Sequence, residues 1–189
     1  MLTRTTPRRR EEMARGRRRK ELGVYWGRFN PPHKGHLSMV RKFNRTCRLV
    51  IAIGSSEHRN EPKDPFSGAE RKEMWEAYLA ESGIQDVGVV TLEDGPSESW
   101  SVDNLVKKCE PDLLFLSTER ASLAKLARSR VRVVPFRRTG AVSSTLIRDM
   151  IASGDDRWRG LTGGSVARLI ADFDGPRRIR SAYAKVELI

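Results

Sequence analysis

GRFNPPHKGH, residues 27–36, places two glycines, two prolines, two histidines and two cations at the end of the apolar stretch LGVYWG, residues 22–27. The apolar stretch predicts a buried β-strand. Glycine allows a tight exit from that strand, and the two prolines stiffen the turn that follows. His33 and His36 stand three positions apart, so a helical first turn places them on one face near Arg28. This combination of groups suits a polyanion that is held while it reacts.

Beyond this turn, apolar segments alternate with amphipathic ones. Further strands are predicted at residues 47–56, 87–93, 112–117 and 131–136, and helices at 36–46, 67–83, 100–110, 119–129 and 143–154. This alternation predicts an α/β protein with a Rossmann-like, doubly wound parallel sheet and helices on both faces. In such a sheet the ligand lies beyond the carboxyl ends of the strands, where the strand order reverses. The turn at residues 27–36 leaves one of these ends.

Charge divides the chain into two parts. Residues 1–20 hold nine Arg or Lys and two Glu, which accounts for +7 of the net charge of +12. We predict a basic, disordered arm over residues 1–21 and a single domain over residues 22–189. The arm has two interpretations: a solvated leader, with translation starting near Met13, or an arm that contacts RNA, DNA or a partner.

Several features favour a cytoplasmic protein without a membrane partner. No apolar run approaches the ~20 residues that span a bilayer, and the first residues lack the apolar centre of a secretory signal. The two cysteines, Cys47 and Cys109, do not form a metal-type pair, which suits a reducing compartment. For His58, the remaining histidine, we expect no nearby cysteines or paired carboxylates. We therefore expect no metal held by the protein itself.

GRFNPPHKGH resembles the G-x-F-x-P-x-H-x-G-H signature of the nucleotidyltransferase superfamily, and SSTLIR, residues 143–148, resembles its late S-x-T-x-x-R turn. Members join a nucleotide to a phosphate-bearing partner and release pyrophosphate. GVYWGRFNPPHKGHL, IAIGSS, KDPFSGAER and ESWSVDNL further resemble the archaeal-type nicotinamide-nucleotide adenylyltransferases, which make NAD from ATP and nicotinamide mononucleotide (NMN). SVARLIADFDGPRRIRSAYAK is similar to that family's C-terminal helix and tail. The resemblance implies a nucleotidyltransferase fold with a short C-terminal helical extension.

The resemblance also implies two sets of site residues. On the ATP side are the catalytic candidates His33, His36 and Arg148 and the binding candidates Gly27, Arg28, Phe29, Gly35, Ser143, Ser144 and Thr145. On the NMN side are Trp100, Lys63, Glu93, Ser97, Gly54 and Ser55. An indole over the cationic pyridinium ring combines stacking with a cation–π attraction of roughly 0.5–2 kcal/mol. WSVDNL, residues 100–105, also allows a second interpretation of Trp100, ordinary packing at a helix start.

The implied reaction is adenylyl transfer from ATP to NMN, with Mg²⁺ bound mainly through the ATP phosphates. The chain has Asn30 where the family commonly has glutamine, and Ser97 where it has asparagine. One alternative is another transferase of the superfamily with a different phosphate acceptor or CTP. A more distant one is a non-catalytic nucleotide sensor whose arm binds nucleic acid. The family's tendency to form closed homo-oligomers, often hexamers, implies a homo-oligomer.

Overall fold

Five parallel strands form one sheet in a computed structural model that describes residues 20–138 and 140–185. The strands are β1 Leu22–Gly27, β2 Arg48–Ile53, β3 Val87–Thr91, β4 Leu113–Ser117 and β5 Arg132–Phe136, in the order β3-β2-β1-β4-β5. The predicted α/β class with a Rossmann-like parallel sheet is confirmed. Almost all of the predicted basic arm lies outside the described residues, so the arm and the domain boundaries stay predictions.

Helices follow the strands as the periodicity predicts. They are α1 Lys34–Asn44, α2 Gly68–Glu81, α3 Glu98–Cys109, α4 Ala121–Ala127, α5 Ser144–Ser153, α6 Gly164–Asp172 and α7 Gly175–Ala184, with 3₁₀ turns at Thr118–Arg120 and Asp156–Leu161. The first helix begins two residues earlier than predicted because His33 caps it. After α2, Gly83 takes a φ of 64°, the left-handed conformation that ends many helices. Within the described ranges, no helix is long and apolar enough to cross a membrane.

The core lies in two layers, one on each face of the sheet. Successive strand residues point to opposite faces. Tyr25 accordingly packs in a cluster with residues of α1, α2 and α5, while Val24 and Trp26 pack with residues of α3 and α4. Both sides of β1 are therefore covered, and only its ends are available for a ligand.

The C-terminal extension forms two helices, α6 and α7, that are part of the core. Val166, Ile170 and Ile179 are each 0% exposed and belong to the same cluster as the residues of α1 and α2. The Glu81 carboxylate at the end of α2 accepts hydrogen bonds from the backbone N–H of Gly164 at 3.0 Å and of Ser165 at 2.9 Å. These bonds satisfy free donors at the start of α6 and fix it against α2.

Because α6 closes the core, Ile170→Ala is expected to lower the free energy of unfolding by about 2–5 kcal/mol, the usual cost of such a cavity. The exposed Arg168→Ala on the same helix is the matched control and should change it by less than about 0.5 kcal/mol. Urea unfolding monitored by circular dichroism measures both variants. Equal stability of the two would contradict the assignment of α6 to the core.

Candidate active site

The turn of residues 27–36 leaves the carboxyl end of β1, which lies between β2 and β4. Because the strand order reverses there, a crevice opens at this edge of the sheet. A cavity of about 320 Å³ occupies the crevice. Nine of the predicted site residues line it: Gly27, Arg28, Phe29, His36, Lys63, Ser143, Ser144, Thr145 and Arg148.

A larger groove, of about 940 Å³, lies between α1, the end of α2 and the start of α6. Its lining includes Lys34, Arg41 and Arg45 and none of the predicted site residues. Size alone therefore does not locate the chemistry. The smaller cavity is the candidate site, because it joins the starts of α1 and α5 with the predicted histidine and arginines.

His33 and His36 stack on each other at the start of α1, with ring centroids 3.6 Å apart and planes inclined by 28°. His33 is the N-cap of the helix, and its Nδ1 accepts a hydrogen bond from the backbone N–H of Gly35 at 3.1 Å. The neutral His33 ring therefore carries its proton on Nε2. His36 lines the cavity, and its Nδ1 is buried without a hydrogen-bond partner in the described chain. The predicted pair is thus together, with His36 at the cavity and His33 stacked on it.

Burial keeps both imidazoles neutral. It lowers the pKa of His33 from 6.5 to about 4, and the positive charge of Arg138 lowers it further. Burial, followed by the charges of His33 and Arg138, lowers the pKa of His36 well below 6.5. Each ring is therefore a neutral donor near pH 7, and the negative charge of a bound phosphate raises its pKa.

Two hydrogen bonds join the SSTLIR turn to the first turn. The Ser144 hydroxyl donates to the carbonyl of Pro31 at 2.9 Å, and Arg148 Nη1 donates to the carbonyl of Asn30 at 2.8 Å. The partners are 113 and 118 residues apart in sequence. The two motifs therefore form one wall of the cavity, with the first turns of α1 and α5 side by side.

The hydroxyl groups of the SSTLIR turn are held in place from within the protein. Ser143 caps α5 by accepting from the N–H of Leu146 at 3.0 Å, and Thr145 Oγ1 accepts from Arg148 Nη2 at 3.2 Å. A hydroxyl with one bond keeps the capacity for another. Together with the free N–H groups of the first turn of α5, these hydroxyls offer oriented donors to a phosphate.

Asn30, at a position where the chain departs from the family pattern, is buried and binds the segment before α2. Its amide nitrogen donates to Asp64 Oδ1 at 3.2 Å and to the carbonyl of Phe66 at 2.9 Å, and its amide oxygen accepts from the N–H of Phe66 at 3.3 Å. Asp64 in turn forms an ion pair with Arg28 at 3.2 Å. The same network therefore positions Arg28 and the neighbouring Lys63 at the cavity.

Arg71, a residue that was not predicted for the site, holds backbone carbonyls next to the cavity in place. It is 0% exposed and donates to the carbonyls of Arg28 at 2.7 Å, Gly54 at 2.9 Å and Ser55 at 2.6 Å. Burial lowers the pKa of Arg71 to about 10, so it stays charged near neutral pH. Gly54 and Ser55, predicted to bind NMN, do not line the cavity, and their carbonyls face this guanidinium.

Glu93, Ser97 and Trp100 lie on and beside the connection from β3 to α3, outside the cavity lining. Ser97 is the N-cap of α3 and accepts from the N–H of Trp100 at 3.1 Å. The Trp100 indole lies against Gly95, where an added Cβ would come within 1.8 Å of the ring, and the residue is 42% exposed. The structure therefore brings most residues predicted for ATP together at the cavity, whereas Glu93, Ser97 and Trp100, predicted for NMN, lie outside its lining.

Sequence reasoning missed a third group of residues, at the carboxyl end of β4 and after β5. Ser117, Glu119, Arg120 and Arg138 line the cavity. Arg138 pairs with Glu119 at 3.3 Å. The sequence held a signal for them, because residues that follow the carboxyl ends of parallel strands lie at the same edge of the sheet as the first turn.

His58 does have carboxylate neighbours, so the expectation of none is wrong. Its Nδ1 lies 3.1 Å from Glu61 Oε1, and its Nε2 lies 3.4 Å from Glu57 Oε1 and 3.9 Å from Asp94 Oδ2. The hydrogen bond to Glu61 raises the pKa of His58, and the charges of all three carboxylates add to this effect. The loop after β3 brings Asp94 to this point, which spacing along the chain did not indicate.

A family model described as Cytidylyltransferase-like matches residues 24–150, which include both motifs. The chain belongs to the cytidylyltransferase-like family. The resemblance carried by the turns at residues 27–36 and 143–148 is thus confirmed. The matched segment contains every residue predicted for the site.

The curated relatives of this chain include nicotinamide-nucleotide adenylyltransferases from archaea. The protein from Pyrobaculum aerophilum is 35% identical over 165 residues, covering 84% of this chain and 92% of the relative. An enzyme from Sulfolobus acidocaldarius is 34% identical over 164 residues, covering 83% and 93%. The predicted likeness to the archaeal-type family is confirmed.

Solved structures confirm the fold of this cytidylyltransferase-like protein. A bifunctional NMN adenylyltransferase/ADP-ribose pyrophosphatase from Francisella tularensis, complexed with AMP and a manganese ion, superimposes with a TM-score of 0.68 and 20% identity over 89% of this chain. A second structure of a bifunctional enzyme of the same description and organism gives 0.70 and 22%. The chain spans about half the length of these two proteins, 53% and 54%.

The neutral histidines make stability depend on pH. Between pH 6.5 and about 4 the unfolded chain binds a proton at residue 33 that the folded chain does not, so stability falls as the pH falls. Well inside this window, protonation of His33 in the unfolded chain is expected to lower the free energy of unfolding by about 1.4 kcal/mol for each unit by which the pH falls. His33→Asn keeps a good N-cap and removes the titration, so its stability should fall less between pH 7 and pH 5. Urea unfolding at both pH values measures this, and an equal fall in variant and wild type would contradict a neutral buried His33.

Proposed function

We propose that this chain transfers the adenylyl group of ATP to NMN, giving NAD and pyrophosphate. The observation that carries the proposal is the meeting of two phosphate-binding turns, each at the start of a helix, in one cavity lined by His36, Arg28 and Arg148. An oxygen of the NMN phosphate attacks the α-phosphorus of ATP. The bond from that phosphorus to the bridging oxygen breaks, and pyrophosphate leaves with the bonding electrons. The family and the archaeal relatives support this assignment.

Each ATP-side group has a physical role in the proposal. The first turns of α1 and α5 direct N–H groups and positive dipole ends at the phosphates. His36 donates a hydrogen bond to the charge that develops during transfer, and the stacked His33 keeps that ring in place. Arg148, fixed by its bonds to Asn30 and Thr145, stabilises the leaving pyrophosphate. Catalysis then rests on positioning and charge, with no covalent intermediate.

A divalent cation, proposed as Mg²⁺, enters as part of the ATP complex. The described lining contains one carboxylate, Glu119, and that group pairs with Arg138 at 3.3 Å. Such a donor set does not form a protein cage, so it fits an ion held by phosphate oxygens and water. The ion supplies charge neutralisation on the phosphates. Lys63, Arg28 and Arg148 act on the same charges from the protein side.

The acceptor side is proposed to lie between the cavity and the loops that carry Trp100, Glu93 and Ser97. Trp100 stacks on the nicotinamide ring in this proposal, and its 42% exposure leaves the indole accessible. Asp94 Oδ1 accepts from the N–H of Ser55 at 3.2 Å and so joins the loop after β3 to the loop after β2. In this proposal, the backbone of Gly54 and Ser55 forms part of the acceptor side.

The remaining parts of the proposal concern assembly and setting. We place the adenylyltransferase domain at residues 22–189 and the basic arm at residues 1–21. The protein works in the cytoplasm as a homo-oligomer, and its free cysteines, Cys47 and Cys109, suit a reducing compartment. Light scattering of the full chain tests the oligomer, since a monomer at assay concentration would contradict it.

The direct test incubates the purified full chain with ATP, Mg²⁺ and NMN and follows NAD and pyrophosphate by chromatography. Nicotinic acid mononucleotide replaces NMN in a second arm, CTP replaces ATP in a third, and a fourth has no acceptor. Equal amounts of NAD and pyrophosphate support the proposal. ATP binding without turnover of either acceptor would contradict NMN as substrate and favour another phosphate acceptor.

Deletion of residues 1–20 should leave activity intact, whereas a nucleic-acid sensor would lose its salt-sensitive affinity for nucleic acid.

His36→Ala is expected to lower kcat by about 100-fold or more, because it removes a donor to the developing charge. The exposed Lys42→Ala on the same helix is the control and should keep kcat. Circular dichroism and thermal unfolding check that both variants fold. An unfolded His36→Ala protein would show that the histidine is structural.

Trp100→Ala is expected to raise the KM for NMN by about 2- to 30-fold, the range of a cation–π contact, and to leave the KM for ATP unchanged. Trp100→Phe should retain part of the affinity because it keeps an aromatic face. Steady-state kinetics give both constants, and urea unfolding serves as the control. A loss of stability without a change in KM would assign Trp100 to packing against Gly95.

A further inference from the structure

Arg120 is a cationic residue of the cavity that the proposed adenylyl transfer has not yet used. It ends the 3₁₀ turn directly after β4, and its side chain lines the cavity. Its guanidinium carbon is 5.2 Å from the centroid of the Trp26 ring, at the end of β1. An indole face orients a planar guanidinium by cation–π attraction and stacking. The charge is therefore held at the boundary between β1 and β4.

Arg120 differs from the other cavity arginines in its partners. Arg28 and Arg138 each pair with a carboxylate, and Arg148 donates to a backbone carbonyl. Across residues 20–138 and 140–185, Arg120 makes no hydrogen bond or ion pair. A half-buried guanidinium without a polar partner is costly, and its N–H donors remain available to an anion.

The charged neighbours of Arg120 come from both sides of the cavity. Burial lowers the pKa of Arg120, and the charges of Arg28 and Arg138 lower it further, whereas those of Glu98 and Asp94 raise it. Arg28 belongs to the ATP side. Asp94 follows β3 and Glu98 is the first residue of α3, in the region proposed for the acceptor. An anion bound by Arg120 therefore sits between the nucleotide phosphates and the acceptor loops.

We propose that Arg120 binds the phosphate of the acceptor nucleotide and holds it in line for attack on ATP. This inference rests on the proposed adenylyl transfer. The attacking phosphate and the triphosphate are both anions, so their approach requires a cation between them. A guanidinium binds a phosphate through two parallel N–H bonds, which sets its direction as well as its charge. Arg120 is thus a binding and orienting residue for the nucleophile, separate from the ATP bed.

The test compares Arg120→Met and Arg120→Lys with Arg128→Met, an exposed arginine at the end of the following helix. Arg120→Met is expected to raise the KM for NMN by about 10- to 100-fold and to change the KM for ATP by less than about two-fold. Arg120→Lys keeps the charge without the fork and should fall between wild type and Arg120→Met. Arg128→Met should match wild type.

A second readout separates phosphate recognition from a packing effect on Trp26. Nicotinamide riboside lacks the phosphate, so the ratio of its inhibition constant to the dissociation constant of NMN measures what the phosphate contributes. That ratio should fall about ten-fold or more in Arg120→Met. An unchanged ratio, or a rise in the KM for ATP alone, overturns the role of Arg120. Wild-type protein that forms no NAD overturns the proposed function first and this inference with it.

Discussion

Asn30, whose side-chain amide is buried, links three of the chain segments around the cavity. Its backbone carbonyl accepts from Arg148 on α5, and its side chain binds Asp64 and Phe66 ahead of α2. A buried amide with each polar atom satisfied holds its partners closely, whereas loss of one partner leaves a costly unpaired group. The position of Arg28, which pairs with Asp64, depends on this amide as well.

Charge is the second property that the cavity depends on. Five cationic side chains line its described part against one carboxylate, and burial keeps the neighbouring histidines neutral. Without a ligand, such a surplus of positive charge is unfavourable in a partly desolvated crevice. A triphosphate reverses the balance and raises the pKa of His36 and His33. The cationic side chains that lower stability in the empty cavity therefore also provide its affinity for a polyanion.

The two substrate sides differ in how they are held. Hydrogen bonds between distant segments fix the proposed ATP side. Arg71 joins it to the proposed acceptor side, because it donates to the carbonyls of Arg28, Gly54 and Ser55. The proposed acceptor side consists of loops around the exposed Trp100, with Arg120 proposed at its border with the ATP side. In the proposed function, buried contacts therefore hold the residues around ATP, while the acceptor binds beside exposed loops.

The sequence by itself determined the alternation of strands and helices and the resemblance of both turns to the family's motifs. These depend on residues within a few positions of each other, such as His33 and Gly35 or Ser143 and Leu146. Only the tertiary structure decided which side chains share the cavity. Contacts of Asn30 across 36 and 118 residues and the place of Arg120 at the strand reversal depend on how the strands are ordered in the sheet, which local periodicity does not encode.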